Sequence, residues 1–420
     1  MKGDRTKVFT KKTSANDALR EYLEVINIKR LQSEEVLIIN ALGRVLANNI
    51  TSLLDVPGFD RSAVDGYAVR SEDTYGASTT NPVIFDLRSS KVDQSSIVKK
   101  LEAVMISTGA PAPDGTDAVI MLEYTEMIGM NKVEIYRSST PWSNVSRRGE
   151  DIEKGNIVLN KGTVLQPQDI GILAAIGQIH VKVLKKPRVA IISSGNELIE
   201  PGSKIKKGKT IDVNRFILST SIEDVGGEPL DLGIVKDNLN EIRTRISEGL
   251  NLADLVLVSG GTSVGERDLV PDAVNLIGRP GVLVHGMAIR PGMPTALASV
   301  DDKPIVLLPG YPVAALIGFN TFVRPIIFQM LNISIKKVRG QTIRARITRR
   351  VPSKPGIRDF VRVFVKKNNG GYLAEPIRTT GSGILSSMVK ANGLLIIPEE
   401  LEGVDEKEEV EITLIRHLED

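Results

Sequence analysis

The sequence predicts a multi-domain protein of the α/β plus β class, with a doubly wound α/β domain between a β-rich domain and a C-terminal β-barrel-like domain. Three observations support this prediction. The chain has 420 residues, and at roughly 150 residues per domain its length suggests about three domains. Strands and helices alternate in the middle third of the chain, and short strands separated by turn residues occupy much of the regions on either side.

The N-terminal segment is predicted to be helical. Ser14 and Asp17 have the spacing of a capping box, and the apolar residues that follow recur on one helical face. A second helix is predicted over 33–43, and a third over 168–176 with Gly177 as its C-cap. The segments assigned to this helical linking domain are 1–54 and 144–180.

Residues 55–143 are predicted to form a small β-rich domain. Gly, Pro and Asp separate its short apolar segments, and no helical period appears among them. The predicted strands lie at 83–85, 103–106, 118–122 and 133–136.

Residues 181–330 are predicted to form the doubly wound α/β domain. Continuous apolar runs at 188–192, 255–258 and 304–308 are typical of buried parallel strands. The other predicted elements are a strand at 230–235 and helices at 214–224, 239–248, 269–276 and 312–328.

The last region, 333–420, has alternating apolar segments at 343–347, 360–365 and 410–414. Alternation with period two is the pattern of half-buried strands. We therefore predict a β-barrel-like domain at the C-terminus.

Composition excludes several classes of chemistry. The chain has no cysteine, which excludes disulfides, iron–sulfur clusters and thiol nucleophiles. Its three histidines are scattered, so a histidine metal cage is not expected. A net charge of +3 provides no overall field for nucleic acid or a membrane surface. The N-terminus lacks the apolar region of a secretory signal and no run of roughly 18 apolar residues occurs, so we expect a cytoplasmic protein without membrane spans.

The loops after three predicted strands, at 193–197, 259–268 and 309–312, are candidates for ligand binding. In an open α/β sheet, ligands bind beyond the carboxyl ends of the strands. Each loop contains glycine, and two add hydroxyl and acidic side chains. Such loops suit a phosphate or another oxyanion, and their acids suit Mg²⁺, which prefers one or two carboxylates together with substrate phosphates. The residues predicted to bind substrate there are Ser194, Gly195, Ser259, Gly260, Gly261, Ser263 and Gly265.

An alternative reading of these loops is purely structural. Glycine is common in βα turns because tight turns need positive φ. For one loop alone the two readings are about equally favoured, whereas three such loops at one sheet edge favour a ligand site. Neither the Walker A pattern nor GxGxxG follows these strands, so nucleotide-hydrolase and dinucleotide functions lack their signatures.

Three further stretches, at 55–69, 107–111 and 147–151, combine charged and hydroxyl side chains with glycine or proline. Their Asp and Gly residues are equally suited to forming turns. Arg147 and Arg148 are either a solvated pair or a phosphate contact, and spacing alone leaves both open.

Eight motifs of the chain are DVPGFDRSAVDGYAV, STGAPAPDGTDAV, RRGEDI, SSGNEL, SGGTSVGERD, RPGMPTA, LPGYPVAAL and GSGILSS. They stand in the order expected of the MoeA family, which includes the E domain of gephyrin. The chain resembles this family from its first helix to its last strands. Eight ordered motifs are far more specific than a single glycine-rich loop.

The resemblance implies an enzyme that takes adenylylated molybdopterin and molybdate and releases molybdenum cofactor and AMP with the help of Mg²⁺. It implies an elongated homodimer with a MogA-like α/β domain. The active cleft would lie between the α/β domain of one subunit and the β-rich domain of the other. An adenylyltransferase of the MogA or MoaB type would act upstream, and the first helix would pack on the α/β domain.

The resemblance also implies roles for individual residues. The family acids that look functional correspond to Asp65, Asp151, Glu197, Asp237 and Asp268. Other family positions correspond to Thr108, Arg290, Pro309, Pro312 and Ser382.

We hypothesise that Glu197, Asp237 and Asp268 position Mg²⁺ and the pyrophosphate. Arg290 and the turn at 309–312 would hold molybdate, and Asp65 would reach the pterin from the partner subunit. Relatives often carry basic residues where this chain has Met293 and Gly286, so Arg290 would carry more of the anion contact.

Two alternative functions remain open at this point. One is molybdopterin adenylyltransferase, the activity of the related single-domain MogA and MoaB proteins. The other is a non-catalytic scaffold like gephyrin, although this chain lacks the additional domain and long linker that such a role suggests. Molybdate and tungstate have nearly the same shape and charge, and the sequence does not discriminate between them.

Overall fold

A computed structural model describes residues 13–88, 97–261, 269–334, 340–368, 370–378 and 381–418. The chain divides into two compact units. Residues 34–183 form one, here called the 34–183 unit. Residues 1–33 and 184–420 form the other, here called the 184–420 unit.

The predicted N-terminal helix is confirmed as α1 (Ala15–Val25), which belongs to the 184–420 unit. The hydroxyl of Ser14 accepts a hydrogen bond from the backbone N–H of Asp17 at 3.2 Å, which caps the helix. The hydroxyl of Tyr22, which is almost fully buried, donates to the carbonyl of Ala298 at 2.7 Å. Within this unit α1 is therefore anchored on the α/β domain.

The 34–183 unit consists mainly of short strands. In chain order they are β1 (Ser33–Leu37), β2 (Ile50–Thr51), β3 (Arg61–Ser62), β4 (Gly66–Val69), β5 (Val83–Arg88), β6 (Glu102–Ile106), β7 (Ala118–Met121), β8 (Thr125–Ile128), β9 (Lys132–Ile135), β10 (Val145–Ser146), β11 (Ile157–Leu159) and β12 (His180–Leu184). Six of them form a sheet in the order β7-β4-β6-β5-β9-β8. All four predicted strands between 83 and 136 are present in this sheet.

The helix predicted over 33–43 is wrong. Residues 33–37 form β1, which pairs with β12, and Ile38–Asn40 form a 3₁₀ helix. The apolar spacing fitted a helix, but partial burial alternates along β1 with period two. A distant pairing partner therefore decided the structure, as often happens for short segments. The helix predicted at 168–176 is confirmed as α2 (Pro167–Ala175), and Gly177 follows it with φ +77°.

The α/β domain of the 184–420 unit contains both strands and helices. Its strands are β13 (Arg188–Ser194), β14 (Leu198–Ile199), β15 (Thr210–Ile211), β16 (Glu228–Val235), β17 (Leu255–Ser259), β18 (Pro280–His285), β19 (Ile289–Arg290), β20 (Ala296–Val300) and β21 (Lys303–Leu308). Its helices are α3 (Asn214–Asp224), α4 (Leu239–Leu252), α5 (Leu269–Ile277), α6 (Pro312–Gly318) and α7 (Arg324–Met330), with a π-helical turn at Phe319–Val323.

The main sheet has the order β16-β13-β17-β21-β20-β18. The predicted parallel arrangement holds for β16, β13, β17 and β21, and β20 and β18 extend it as antiparallel strands that the sequence reading missed. Helices α4 and α5 pack together over a core with Ile192, Val256 and Leu307. Helices α3 and α6 form a second contacting pair. The central strands β17 and β21 are almost fully buried.

The helical stretch Pro312–Met330 is long and apolar enough to cross a membrane, and it is the one such stretch among the residues that the structure describes. Most of it is buried inside the protein. Its apolar side chains, among them Phe319 and Phe322, belong to the core of the α/β domain. Its hydrophobicity is therefore explained by packing.

The predicted C-terminal barrel is confirmed. Its strands are β22 (Thr342–Ile347), β23 (Val351–Pro352), β24 (Arg358–Asn368), β25 (Gly371–Arg378), β26 (Gly393–Ile397), β27 (Gly403–Val404) and β28 (Glu409–Leu414), and it includes a short helix, α8 (Ser386–Lys390). The order β24-β25-β22-β28-β26 closes because β26 also pairs with β24. Strand β19 pairs in parallel with β24, which joins the barrel to the α/β domain within the same unit.

Candidate active site

Three strands of the α/β sheet end together and bring the predicted ligand loops to one edge. Strands β13, β17 and β21 are parallel neighbours, and Ser259 at the end of β17 is paired with Ser193 on one side and Leu308 on the other. The loops that begin at Ser194, Gly260 and Pro309 therefore leave the sheet side by side. This convergence is the arrangement expected of a ligand site in an open α/β sheet.

Glycine is required where two of these loops meet. A Cβ atom on Gly260 would lie 2.2 Å from the carbonyl oxygen of Ser194, and the residue has φ +94°. Its backbone N–H donates to the carbonyl of Leu308 at 3.0 Å. Gly260 is therefore needed for close approach as well as for its backbone conformation. The predicted residues Ser263, Gly265 and Asp268 lie outside the described residues.

Two of the three predicted metal-binding acids are described, and both adjoin the first loop. Asp237 accepts hydrogen bonds from the hydroxyl of Ser194 at 3.1 Å and from the N–H of Asn196 at 3.0 Å. The carboxylate of Glu197 folds over Gly195, so that a Cβ there would lie 2.7 Å from Oε1 of Glu197. The carboxylate of Glu197 makes no hydrogen bond or ion pair with the residues described, whereas its backbone carbonyl accepts from the N–H of Thr210 at 2.9 Å. Among those residues no group of three acidic or histidine side chains could hold a metal ion.

Two basic side chains that the sequence reading missed hold the loop that carries Glu197. The ammonium group of Lys209 donates to the carbonyl of Asn196 at 2.5 Å. The guanidinium of Arg215, which is 4% exposed and so almost fully buried, binds Glu200 on the other side of Glu197.

Arg215 also joins two other elements of the domain. Its guanidinium donates to Asp212 at 2.6 Å and to Asp231 at 2.9 Å. Burial alone would lower the pKa of Arg215, but its hydrogen bonds to Asp212, Asp231 and Glu200 raise it above the ordinary value. The cluster of polar residues at the start of α3 could have signalled this network, because the helix starts at the same sheet edge.

Arg290, predicted to contact molybdate, is bound to another side chain. Its guanidinium forms a two-pronged ion pair with Asp359 of β24, with Nε 2.6 Å from Oδ1. Asp359 is 2% exposed and also accepts a hydrogen bond from the hydroxyl of Ser353 at 2.6 Å. The charge of Arg290 is thus compensated within the protein, and its clearest structural effect is to join β19 to the barrel.

The barrel segment that contains Ser382 reaches the turn at 309–312. The carbonyl of Ser382 accepts a hydrogen bond from the N–H of Val313 at 3.0 Å. A Cβ on Gly383 would lie 3.1 Å from the ring of Tyr311, which is itself exposed. The structure therefore brings Ser382 beside the turn that contains Pro309 and Pro312, from which it is distant in the sequence.

In the 34–183 unit, the predicted residues Asp65 and Thr108 lie in contact. Oδ1 of Asp65 accepts hydrogen bonds from the N–H of Thr108 at 2.7 Å and from its hydroxyl at 3.2 Å. Both residues are exposed. They form a polar pair at the ends of β4 and β6, where those strands meet the loops of the first two motifs.

Asp151 lines a cavity of about 500 Å³ together with Pro57, Arg61, Asn144 and Ser146. Asp55 supports one wall, because its carboxylate accepts from the N–H of Lys154 at 2.8 Å and from Nε of Arg148 at 2.7 Å. These bonds hold the pKa of Asp55 below its usual range. Arg148 is therefore paired with an acidic side chain and is not simply a solvated surface arginine.

Arg147 has a different environment from its neighbour Arg148. Its guanidinium carbon lies 4.7 Å from the ring centre of Trp142, which is within the range of a cation–π contact. The ring of Trp142 is 42% exposed. Arg147 therefore packs against an aromatic ring at the protein surface.

Comparison with protein families gives three matches that together span most of the chain. Residues 13–177 match the MoeA N-terminal region, described as domains I and II. Residues 190–329 match a family described as a "probable molybdopterin binding domain". Residues 344–415 match the MoeA C-terminal region, described as domain IV.

Individual proteins are similar over most of their length. A molybdopterin molybdenumtransferase of Bacillus subtilis is 34% identical over 92% of this chain and 91% of its own length. One of Haemophilus influenzae is 33% identical over 92% of this chain and 95% of its own length. The crystal structure of a molybdopterin biosynthesis MoeA protein from Pyrococcus horikoshii has a TM-score of 0.81 at 34% identity, covering 96% of this chain and all of that one.

Proposed function

This chain belongs to the MoeA family, and from that premise we propose that it is a molybdopterin molybdenumtransferase. In this proposal it takes adenylylated molybdopterin and molybdate, cleaves the adenylate and releases molybdenum cofactor and AMP. The observation that carries the proposal is the convergence of three glycine-containing loops at one edge of the α/β sheet, beside the carboxylates of Glu197 and Asp237. An adenylyltransferase of the MogA or MoaB type would supply the substrate.

The backbone at Gly261 is suited to bind the phosphate groups. Gly260 is buried and its N–H is bonded to Leu308, so it fixes the turn, and the partly exposed Gly261 that follows would face the phosphate. Such preorganised backbone groups would stabilise charge that develops as the phosphoanhydride breaks. The turn at 309–312, with Ser382 beside it, would hold molybdate next to the pterin end of the substrate.

The donor set at this edge fits Mg²⁺. Glu197 offers a carboxylate without a protein partner among the described residues, and Asp237 and the hydroxyl of Ser194 add hard oxygen atoms. We propose that Glu197 and Asp237 hold the ion with Asp268. When bound, Mg²⁺ would neutralise phosphate charge during adenylate cleavage.

We further propose that the enzyme is a homodimer with a composite active site, to which the partner subunit contributes Asp65, Thr108 and Asp151. Large exposed apolar side chains of the 34–183 unit are candidate interface residues, because apolar surface on a protein can mark an interaction site. They include Ile39, Leu42, Leu53, Leu54, Phe59 and Ile179.

Mixing two inactive variants tests the composite site. Asp65→Ala and Asp237→Ala should each lose activity, and a mixture allowed to exchange subunits should regain part of it, because one of the two sites in a heterodimer would be intact. No recovery in mixtures with proven exchange would indicate that each site lies within one chain.

The proposed activity is tested by AMP release from adenylylated molybdopterin, with and without molybdate, at fixed Mg²⁺. Molybdate-dependent release with molybdenum retained on the pterin is expected. ATP-dependent formation of the adenylate, without molybdate-dependent release, would contradict the proposal and favour an adenylyltransferase. Absence of both reactions would favour a scaffold. Competition with tungstate in the same assay would reveal the preferred oxyanion.

A further inference from the structure

Asn214 occupies an unusual position at the edge of the α/β sheet. It is the first residue of α3 and is 5% exposed, although asparagine is rarely so buried. The carboxylate of Asp212 accepts a hydrogen bond from its backbone N–H at 3.1 Å, which fixes the backbone where the helix begins. The backbone of Asn214, from which the side-chain amide extends, is therefore fixed by a hydrogen bond to Asp212.

The amide nitrogen of Asn214 joins two of the three ligand loops. Nδ2 donates to the hydroxyl of Ser259 at 2.7 Å and to the carbonyl of Gly310 at 2.9 Å. Ser259 precedes the loop proposed to bind phosphate, and Gly310 belongs to the turn proposed to hold molybdate. One side chain from a third element thus bridges the two loops.

The orientation of this amide follows from its neighbours. Reversing the amide would place Oδ1 against the carbonyl oxygen of Gly310, and two acceptors repel each other. In the observed orientation, Oδ1 is buried and has no partner among the described residues. A buried acceptor without a partner is costly, so the two donated bonds determine how the side chain is placed.

Two other contacts extend the connection. The N–H of Gly260 donates to the carbonyl of Leu308 at 3.0 Å, and a Cβ on Gly310 would lie 3.5 Å from the Cα of Gly260. The N–H of Val313 donates to the carbonyl of Ser382 at 3.0 Å. Displacement of the 309–312 turn would therefore disturb contacts both with the 259–261 loop and with the barrel segment that contains Ser382.

We infer that Asn214 is a positioning residue that couples the two loops, so that cleavage of the adenylate depends on an occupied molybdate site. The inference rests on the proposed transferase function and adds how its two substrates communicate. Asn214 touches neither substrate in this scheme. It acts through Ser259 and Gly310, and the two N–H groups of its amide supply one donor to each.

The test compares Asn214→Ala with the matched variant Asn392→Ala. Asn392 is equally buried and makes two backbone hydrogen bonds with Val365, but it lies in the barrel. We expect the ratio of AMP release with and without molybdate to fall about tenfold in Asn214→Ala, the scale of one lost hydrogen bond in a buried site. The KM for adenylylated molybdopterin should change less than the KM for molybdate. Asn392→Ala should reduce stability without changing the ratio.

An unchanged ratio in folded Asn214→Ala would overturn the inference. So would an equal loss in Asn392→Ala, which would indicate a general effect of instability. If Asn214→Ala does not fold, Asn214→Ser is measured in the same way, because serine keeps a single donor and should lose part of the coupling.

Hydrogen exchange separates failure of this inference from failure of the proposed function. In the wild-type protein without substrates, the amides of Gly260 and Val313 should be protected. Both should exchange faster in the Asn214 variant and neither should in Asn392→Ala. If the wild-type protein has no transferase activity but this pattern holds, the coupling stands and the proposed chemistry is wrong. If the wild type is active and only one of the two amides responds, the coupling is wrong.

Discussion

Charged side chains serve different purposes in the two loop clusters of the molecule. In the 34–183 unit, acids bind the backbone of the same unit: Asp55 accepts from the N–H of Lys154, and Asp65 accepts from that of Thr108. At the α/β sheet edge, Asp237 also accepts a backbone hydrogen bond, from the N–H of Asn196, but the carboxylate of Glu197 has no partner among the described residues. There, the basic residues Lys209 and Arg215 bind the surrounding loop instead.

This difference indicates two roles for an acidic residue in a glycine-rich loop, one structural and one in ligand binding. An acid that accepts backbone hydrogen bonds stabilises a turn, so its removal should affect stability in addition to any role that it has in activity. An acid held by its neighbours but left without a partner retains its capacity to bind a ligand, and its removal should affect activity. The two clusters look alike in sequence, and they can be distinguished by experiments that measure stability and catalysis separately.

The largest expected effect on stability concerns Arg290. Arg290→Ala should lower the free energy of unfolding by about 3 kcal/mol, because it leaves the carboxylate of Asp359 buried with only the hydroxyl of Ser353. Chemical denaturation would measure this change. The exposed ion pair of Arg350 and Asp405, 3.3 Å apart, serves as a control. Arg350→Ala should cost less than about 1 kcal/mol.

The same variant also tests the alternative role for Arg290. Unchanged stability together with a higher KM for molybdate would contradict a structural role and favour direct contact with the anion. A loss of stability with an unchanged KM would indicate that other groups hold molybdate.

Glu197→Gln should reduce transfer by about 10²-fold, because it removes charge from the proposed metal site. The melting temperature should stay close to that of the wild-type protein, since the carboxylate has no partner among the described residues. Glu228→Gln is the control, because Glu228 begins β16 at the opposite end of the same sheet. Its activity should be unchanged. A large drop in melting temperature for Glu197→Gln would indicate that Glu197 is structural.

Lys209→Met should raise the Mg²⁺ concentration for half-maximal AMP release by about threefold, because the loop beside Glu197 loses a charge-assisted hydrogen bond. Lys207→Met removes the same charge from the same segment. The side chain of Lys207 makes no hydrogen bond with the residues described, so its Mg²⁺ requirement should not change. Equal shifts in the two variants would show that only the net charge of the segment matters.

The sequence predicts the α/β core well because its strands are read from local composition. Continuous apolar runs such as 255–258 are buried on both sides wherever they pair, and β17 is indeed fully buried. The segment 33–43 failed because its apolar spacing fits two structures, and pairing with β12 selects the strand. The antiparallel strands β18 and β20 were not predicted.

The candidate site shows the same limit. Glycine-rich loops after buried strands are visible in the sequence, and the sheet brings them together as predicted. The ion pair between Arg290 and Asp359 could not be predicted from the sequence. Asp359 lies on a strand of the barrel, far from Arg290 along the chain. The roles of Asn214 and Arg215 depend on where α3 begins relative to the neighbouring loops. That relation is set by packing across the sheet edge and not by any motif.

The smallest expected effect is the pH dependence of Asp55. Hydrogen bonds from the N–H of Lys154 and from Arg148 keep the folded-state pKa of Asp55 below its unfolded value of about 3.9. The stabilisation is therefore fully present above about pH 4 and is lost as the pH falls through the folded-state pKa. Asp55→Asn should lower the melting temperature at pH 7, and the difference from wild type should shrink below pH 4. Asp86→Asn, at an exposed carboxylate 3.4 Å from Lys132, should shift the melting temperature less. A constant difference for Asp55→Asn at all pH values would mean that Asp55 does not stabilise its loop through its charge.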